Sequence, residues 1–170
     1  MLSTGKDPIT LIPHIKEVLI EKGLTLSTAE SCTGGNIARC LTLVPGISKV
    51  FKGGVVAYCN DAKIHILGVR ESTIRRETEV SCACAREMAE GANFVLGSDI
   101  AISTTGYAEP SHGDENDPFR QQAFVNVCYN KKGMYFSKHV QFEYEKTRER
   151  FINHLTHEAL CLLAELLEEI

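Results

Sequence analysis

Three side chains that can take part in hydrolysis, Ser31, Tyr58 and Lys63, lie in two polar segments of the sequence that also contain glycine. Each segment follows a short apolar run typical of a strand, so both are expected at one edge of a sheet. A serine hydroxyl becomes a nucleophile when a neighbouring group accepts its proton, and a desolvated lysine amine can do this without a histidine. The residues therefore favour a serine/lysine hydrolase of amides. They also predict that Ser31 Oγ lies within hydrogen-bonding reach of the Lys63 amine.

Each of these residues also has an ordinary structural interpretation. Ser31 can cap a helix by accepting a hydrogen bond from one of its first N–H groups. A lysine on a short polar helix usually lies in solvent, and Tyr58 can lie on a strand with its hydroxyl at the sheet edge. Distance separates the two interpretations, because a general base must contact the proton that it removes.

The composition excludes several classes of protein. The chain has 170 residues, which fits one domain spanning residues 1–170. Its net charge is −4 and its basic residues are scattered, so the basic stripe of a nucleic-acid-binding protein is missing. The N-terminus has no signal-peptide core, and no apolar run reaches the roughly 18 residues that a membrane span requires. We expect a cytoplasmic protein that binds neither nucleic acid nor a membrane.

The seven cysteines do not predict a metal site or a disulfide framework. They form no Cys-x-x-Cys pair, and the spacing of Cys82 and Cys84 does not suit a zinc knuckle. His154 and His157 have helical spacing but lack a third ligand in a recognisable motif, which favours a surface pair. We expect small buried thiols in a reducing compartment, with no metal and no cofactor.

The periodicity of apolar residues predicts strands that alternate with helices. Predicted helices cover residues 8–22, 36–43, 61–67, 80–96 and 145–169, and the segment between the third and fourth can begin at Ser72 or at Glu77. Predicted strands cover residues 24–29, 51–58, 99–106, 122–129 and 134–142. This order gives a three-layer α/β/α sandwich with a mixed sheet. The amphipathic last helix is expected to pack on the core, with a role in a homo-oligomer as the alternative.

Five sequence blocks occur in an order and at spacings that are specific to one family. They are TAESCTGG at 28–35, FKGGVVAYCN at 51–60 followed by Lys63, LGV at 67–69, MAEGA at 88–92 and TTG at 104–106. In these blocks the chain resembles the CinA C-terminal domain family, whose characterised enzymes are nicotinamide-nucleotide amidohydrolases (NMN deamidases). The resemblance covers residues 8 to 165 and implies the family's fold in a stand-alone domain.

The resemblance implies hydrolysis of the carboxamide of nicotinamide mononucleotide (NMN) to nicotinic acid mononucleotide and ammonia. Carried onto this sequence, it makes Ser31 the nucleophile, Lys63 the general base, and Tyr58 a residue that orients the two or relays a proton. The residues it implies for binding the nucleotide are Cys32, Thr33, Gly34, Gly35, Asn60, Thr105, Gly106, Lys146 and Arg148. The N–H groups of residues 32–35 are at a helix start, where they can stabilise an oxyanion or hold a phosphate.

The sequence departs from the family pattern in the downstream half. Glu109 stands where the family has a glycine, and the family's Gly-Asp-Arg before the last helix is replaced by residues 144–146, Tyr-Glu-Lys. Gln-Ala-Phe at 122–124 likewise replaces a glycine that opens a strand. These changes support a second hypothesis: a paralogue that has lost catalysis and binds a ligand or another subunit.

The segment 107–121 is polar and contains two prolines, so we expect a loop that borders the ligand site. Glu109 and the acidic cluster at 114–117 should repel a phosphate unless Arg120 or another basic side chain neutralises them. One uncompensated charge 4 Å from a phosphate opposes binding by roughly 4 kcal/mol at an effective dielectric constant of 20. The sequence therefore predicts weak or absent binding of NMN, and a gain in the variant Glu109→Gly.

Overall fold

A computed structural model of the chain describes residues 8–109, 121–142 and 147–170. Its strands are β1 (Leu26–Glu30), β2 (Phe51–Val56), β3 (Ile100–Tyr107), β4 (Gln122–Tyr129) and β5 (Met134–Gln141). Its α-helices are α1 (Ile12–Lys22), α2 (Asn36–Thr42), α3 (Asn60–Leu67), α4 (Glu71–Glu77), α5 (Cys82–Leu96) and α6 (Arg148–Glu169). The predicted alternation of strands and helices is confirmed.

In the described ranges the strands form one mixed sheet in the order β2-β1-β3-β4-β5. β1 lies between β2 and β3 and is parallel to both. β4 is antiparallel to β3 and to β5, as the predicted hairpin requires. Since β1, β2 and β3 run in one direction, their carboxyl ends meet at one edge of the sheet, which is where ligands of such sheets usually bind.

Helices cover both faces of the sheet, in the predicted three layers. α1, α2 and α6 bury their apolar side chains against one face, whereas α3 and α5 pack on the other and α4 packs against α5. The apolar face of α6 is buried in the core, as expected. None of the helices in the described part of the chain combines the length and apolarity that crossing a membrane requires.

Close packing of α5 on α3 sets the position of the helix that carries Lys63. A Cβ atom at Gly91 would lie 1.9 Å from the carbonyl oxygen of Leu67, so only glycine allows α5 to approach the end of α3 this closely. This explains why glycine stands at position 91 in α5.

The structure differs from the predicted elements mainly between α3 and α5. The segment after Gly68 forms the separate helix α4, and α5 begins where the Ser81 hydroxyl accepts a hydrogen bond from Cys84 N–H, at 3.1 Å. β2 ends at Val56 and β3 continues to Tyr107. Residues 110–120, with Arg120 and the acidic cluster, and residues 143–146, with Lys146, lie outside the described residues.

Candidate active site

Ser31 and Lys63 meet at the carboxyl edge of the sheet. Ser31 follows the last residue of β1, and its N–H donates to the carbonyl oxygen of Thr104 on β3, at 3.0 Å. Lys63 lies on α3, and its Nζ is 3.0 Å from Ser31 Oγ and 3.1 Å from the carbonyl oxygen of Ala57. The predicted contact between the hydroxyl and the amine is therefore present.

Burial makes this contact suitable for proton transfer. Lys63 is 2% exposed and Ser31 is 7% exposed. Desolvation lowers the pKa of the Lys63 amine below its ordinary value, and the opposing electrostatic effects of Cys84 and Glu79 do not cancel it. A buried amine that loses its proton more easily than usual can accept one from a serine hydroxyl.

The two residues open into a pocket of about 410 Å³. The sequence-predicted residues that line it are Ser31, Cys32, Tyr58, Asn60, Lys63, Thr105, Gly106 and Arg148. Burial raises the pKa of the Cys32 thiol to about 12, so this side chain is a neutral part of the wall. Most of the predicted site residues therefore lie around one cavity.

The glycines of the segment 32–35 lie elsewhere. Thr33, Gly34 and Gly35 line a second cavity, of about 630 Å³, beside α2 and α6. The N–H of Gly34 donates to the carbonyl oxygen of Ser31 at 3.0 Å, and the N–H of Gly35 donates to the Glu30 carboxylate at 3.1 Å. The two glycines line this second cavity and not the Ser31 pocket, and both N–H groups already have acceptors within the protein. The structure therefore does not offer them to a ligand beside Ser31.

The acceptor, Glu30, is a residue whose role the sequence analysis missed. It is 1% exposed, and its carboxylate accepts hydrogen bonds from the Thr33 hydroxyl and from the N–H groups of Gly35, Ile37 and Ala38. These donors belong to the turn after Ser31 and to the start of α2, so Glu30 ties the nucleophile segment to that helix. The signal in the sequence is a carboxylate directly after the predicted strand 24–29 and shortly before a predicted helix.

Tyr58 lies at the rim of the pocket and not against the two catalytic candidates. Tyr58 is 59% exposed, and its hydroxyl accepts a hydrogen bond from Arg148 Nη2 at 2.7 Å. Although Tyr58, Ser31 and Lys63 are all described, no hydrogen bond joins Tyr58 to either of the other two. A part in orienting them would require a bound ligand or a water between them.

Arg148 also pairs with Glu109, across the same rim. The guanidinium of the first residue of α6 thus joins the end of β3 to the segment after β2. The sequence predicts that the charge of Glu109 repels a phosphate unless Arg120 or another basic side chain neutralises it. The described partner is Arg148, so the negative charge of Glu109 is compensated by a residue that itself lines the pocket.

Comparisons with known proteins agree with the fold. A model of the CinA C-terminal domain matches residues 9–167. A CinA-like protein of Chlorobium phaeobacteroides is 39% identical over 164 residues, which is 96% of this chain, and one of a Thermotoga species is 40% identical over 136 residues, or 80% of the chain. The chain spans only 38% and 31% of the length of these two relatives.

Solved structures resemble the chain over nearly its whole length. A CinA superfamily protein from Klebsiella pneumoniae has a TM-score of 0.87 at 30% identity, covering 97% of this chain and 100% of its own. The competence/damage inducible protein CihA from Agrobacterium tumefaciens has a TM-score of 0.85 at 31% identity, covering 98% and 99%.

Proposed function

The chain belongs to the CinA C-terminal domain family, and we propose that it hydrolyses a carboxamide with Ser31 as nucleophile and Lys63 as general base. One observation carries the proposal: Lys63 Nζ lies 3.0 Å from Ser31 Oγ in a buried contact at the wall of a pocket. A helix-capping serine and a solvated lysine would not meet in this way. The substrate we propose, from the family resemblance, is NMN, with nicotinic acid mononucleotide and ammonia as products.

In the first half of the proposed reaction, the neutral Lys63 amine accepts the proton of Ser31 as Oγ attacks the carboxamide carbon. The carbonyl oxygen becomes an oxyanion, and the Cys32 N–H, next to the nucleophile in the pocket wall, is our candidate donor for it. The ammonium group of Lys63 then gives its proton to the departing nitrogen. Ammonia leaves, and the acyl group stays on Ser31 as an ester.

In the second half, a water molecule takes the place of ammonia beside Lys63. The amine accepts a proton from this water, whose oxygen attacks the ester carbon. The tetrahedral species collapses, and Lys63 returns the proton to Ser31 Oγ as the carboxylic acid leaves. The two halves consume one water and restore both side chains, so no metal or cofactor is needed to balance the reaction.

The proton balance of Lys63 predicts how activity depends on pH. Because burial holds the pKa of Lys63 below its ordinary value of 10.5, we expect kcat/KM to rise with pH along a limb whose midpoint lies below 10.5. At pH values between the pKa of Lys63 in the folded protein and 10.5, the unfolded chain binds more protons than the folded one. The contribution of Lys63 to the free energy of unfolding therefore also rises with pH in this range.

The measurement is ammonia release across pH, with nicotinamide riboside as a second substrate because it lacks a phosphate that titrates. A limb with the same midpoint for both substrates would assign it to the enzyme. A rate that does not change with pH below 10.5 would contradict the role of Lys63 as the base.

The Arg148–Glu109 pair predicts how a phosphate would affect binding. The Glu109 side chain is 72% exposed, so solvent screens its charge and the effect is far smaller than that of an uncompensated buried charge. Replacing Glu109 by glycine frees the Arg148 guanidinium for a phosphate, and we expect NMN to bind about 5- to 10-fold more tightly. Calorimetry with Ser31→Ala as the background avoids turnover during the titration.

Glu149→Gln is the matched control for this prediction, since it removes one negative charge beside Arg148 without touching the pair. Equal gains in the two variants would show that only net charge matters. Unchanged binding in Glu109→Gly would show that Glu109 does not compete for Arg148.

The second candidate function is a catalytically inactive paralogue that binds a ligand or a subunit. The observation that favours it is the ion pair between Glu109 and Arg148, because it occupies the guanidinium that would otherwise be available to the nucleotide. Ammonia release by the folded wild-type protein excludes it. If the wild type is inactive, activity gained in the double variant Glu109→Gly and Lys146→Arg would identify these two positions as the cause of the loss.

A further inference from the structure

The turn between α4 and α5 contains an unusual backbone conformation. Thr78 has φ 67° and ψ 168°, and it is the one residue other than glycine with positive φ in the described ranges. A β-branched side chain disfavours this region strongly, so the conformation persists only where the surroundings hold it. Such residues are concentrated at functional sites, and this turn carries the next residue, Glu79, to the wall of the Ser31 pocket.

Hydrogen bonds hold the turn on both sides of Thr78. Its N–H donates to the carbonyl oxygen of Ile74 at 2.9 Å, and the Ser81 hydroxyl donates to the Thr78 carbonyl at 3.0 Å. The Val80 N–H donates to Thr78 Oγ1 at 3.3 Å. The next carbonyl, that of Glu79, accepts a hydrogen bond from the Thr105 hydroxyl at 2.6 Å. The turn is thereby bonded to the end of β3, in the wall of the Ser31 pocket.

This geometry places the carboxylate of Glu79 at the pocket. Glu79 lies outside the five sequence blocks and has no part in the proposed mechanism. Glu79 is half-buried and lines the cavity together with Ser31 and Lys63. Burial and the negative charge of Glu79 raise the pKa of Tyr107, which lines the same cavity. The charge of Glu79 also acts on the Lys63 amine, which lines the same cavity, and opposes the lowering of the Lys63 pKa by burial.

Among the residues that the structure describes, no positive charge at the pocket is matched to Glu79. The charged residues that line it in the described part of the chain are Lys63, Glu79, Glu109 and Arg148. Arg148 pairs with Glu109, and Lys63 must be neutral to act as the base. Within residues 8–109, 121–142 and 147–170, no basic side chain forms an ion pair with Glu79. A half-buried carboxylate in this position favours a ligand that brings a positive charge.

We propose that Glu79 is a specificity-determining residue that binds the positive charge of a quaternised pyridine ring. The inference rests on the proposed hydrolysis of a carboxamide at Ser31, because it places the ring of that substrate beside the carboxylate. A pyridinium carboxamide carries its charge a few ångströms from the amide carbon, so a carboxylate in the same cavity attracts it. The uncharged free base and the reduced dihydropyridine gain nothing from this contact.

The test compares two substrates that differ in ring charge and in little else: NMN and its reduced 1,4-dihydro form. Ammonia release gives the ratio of their kcat/KM values for the wild type and for Glu79→Gln. Dividing one ratio by the other cancels the intrinsic reactivity of the two amides. We expect Glu79→Gln to lower the preference for the cation about 10-fold or more, mainly through KM.

Two further variants distinguish charge recognition from a structural role. Glu79→Asp keeps the charge and should retain most of the preference. Glu77→Gln is the matched control, because Glu77 lies two residues away and pairs with Arg76 at the surface; its ratio should equal that of the wild type. A folded Glu79→Gln with the wild-type ratio, or a Glu79→Asp that loses the preference as fully as Glu79→Gln, would overturn the proposal.

Binding without turnover separates this proposal from the proposed function. In a Ser31→Ala background, calorimetry with NMN and with its reduced form measures affinity alone. If the cation binds more tightly than the reduced form in a Glu79-dependent way, and the wild-type protein releases no ammonia, the role of Glu79 is supported and the hydrolase is rejected. If the wild type releases ammonia and Glu79→Gln does not change its preference for the cation, the hydrolase is supported and the role of Glu79 is rejected.

Discussion

Alanine at Ser31 is expected to lower ammonia release from NMN at least about 10³-fold, and methionine at Lys63 to lower it by a similar factor. The reason is that attack by Oγ and removal of its proton are parts of one step, joined by the 3.0 Å contact between Oγ and Nζ. Methionine is preferred to alanine at Lys63, because it fills most of the buried volume that the lysine stem occupies. The measurement is the rate of ammonia release with excess substrate.

The double variant gives the sharper result. If Ser31 and Lys63 act as a unit, Ser31→Ala together with Lys63→Met should be about as slow as either single variant, because the second change removes nothing that still functions. Lys52→Met, on the exposed side of β2, is the control and should keep the wild-type rate. Folded single variants that retain more than a tenth of the activity would contradict the proposed pair.

Replacing Glu30 by alanine is expected to destabilise the protein by about 3–5 kcal/mol. The change removes one carboxylate that accepts four hydrogen bonds, and it leaves three backbone N–H groups of the α2 start without this acceptor. At roughly 2–4 °C per kcal/mol for a chain of this size, the melting temperature should fall by about 10 °C. Thermal and urea denaturation followed by circular dichroism measure the loss.

Two comparisons test the reason for this loss. Glu30→Gln keeps an acceptor oxygen but turns an NH₂ group toward the same donors, so its stability should lie between those of the wild type and the alanine variant. Glu17→Ala removes an exposed partner of Lys16 and should change stability by less than about 0.5 kcal/mol. A Glu30→Ala protein as stable as Glu17→Ala would show that α2 does not depend on this carboxylate.

The order of the elements and the meeting of Ser31 with Lys63 could be predicted from the sequence. The reason is local: apolar residues repeat with the period of a strand or a helix, and Gly23 and Gly68 adopt the left-handed conformation that ends α1 and α3. Parallel strands then bring their carboxyl ends to one edge whatever the details of packing. Ser31 directly follows β1, and Lys63 lies in the first helix after β2. Both are therefore expected at this edge, close to each other.

The partners of the charged side chains were decided by the tertiary structure alone. Arg148 contacts Tyr58 and Glu109, which are 90 and 39 residues away in the chain, and no local pattern encodes such distances. The same holds for Glu79, because its position in the pocket depends on the strained backbone of Thr78 and on Thr105 of a distant strand. Local periodicity determines which face of an element is buried, whereas the partner of a polar group depends on which elements the fold brings within about 3 Å of it.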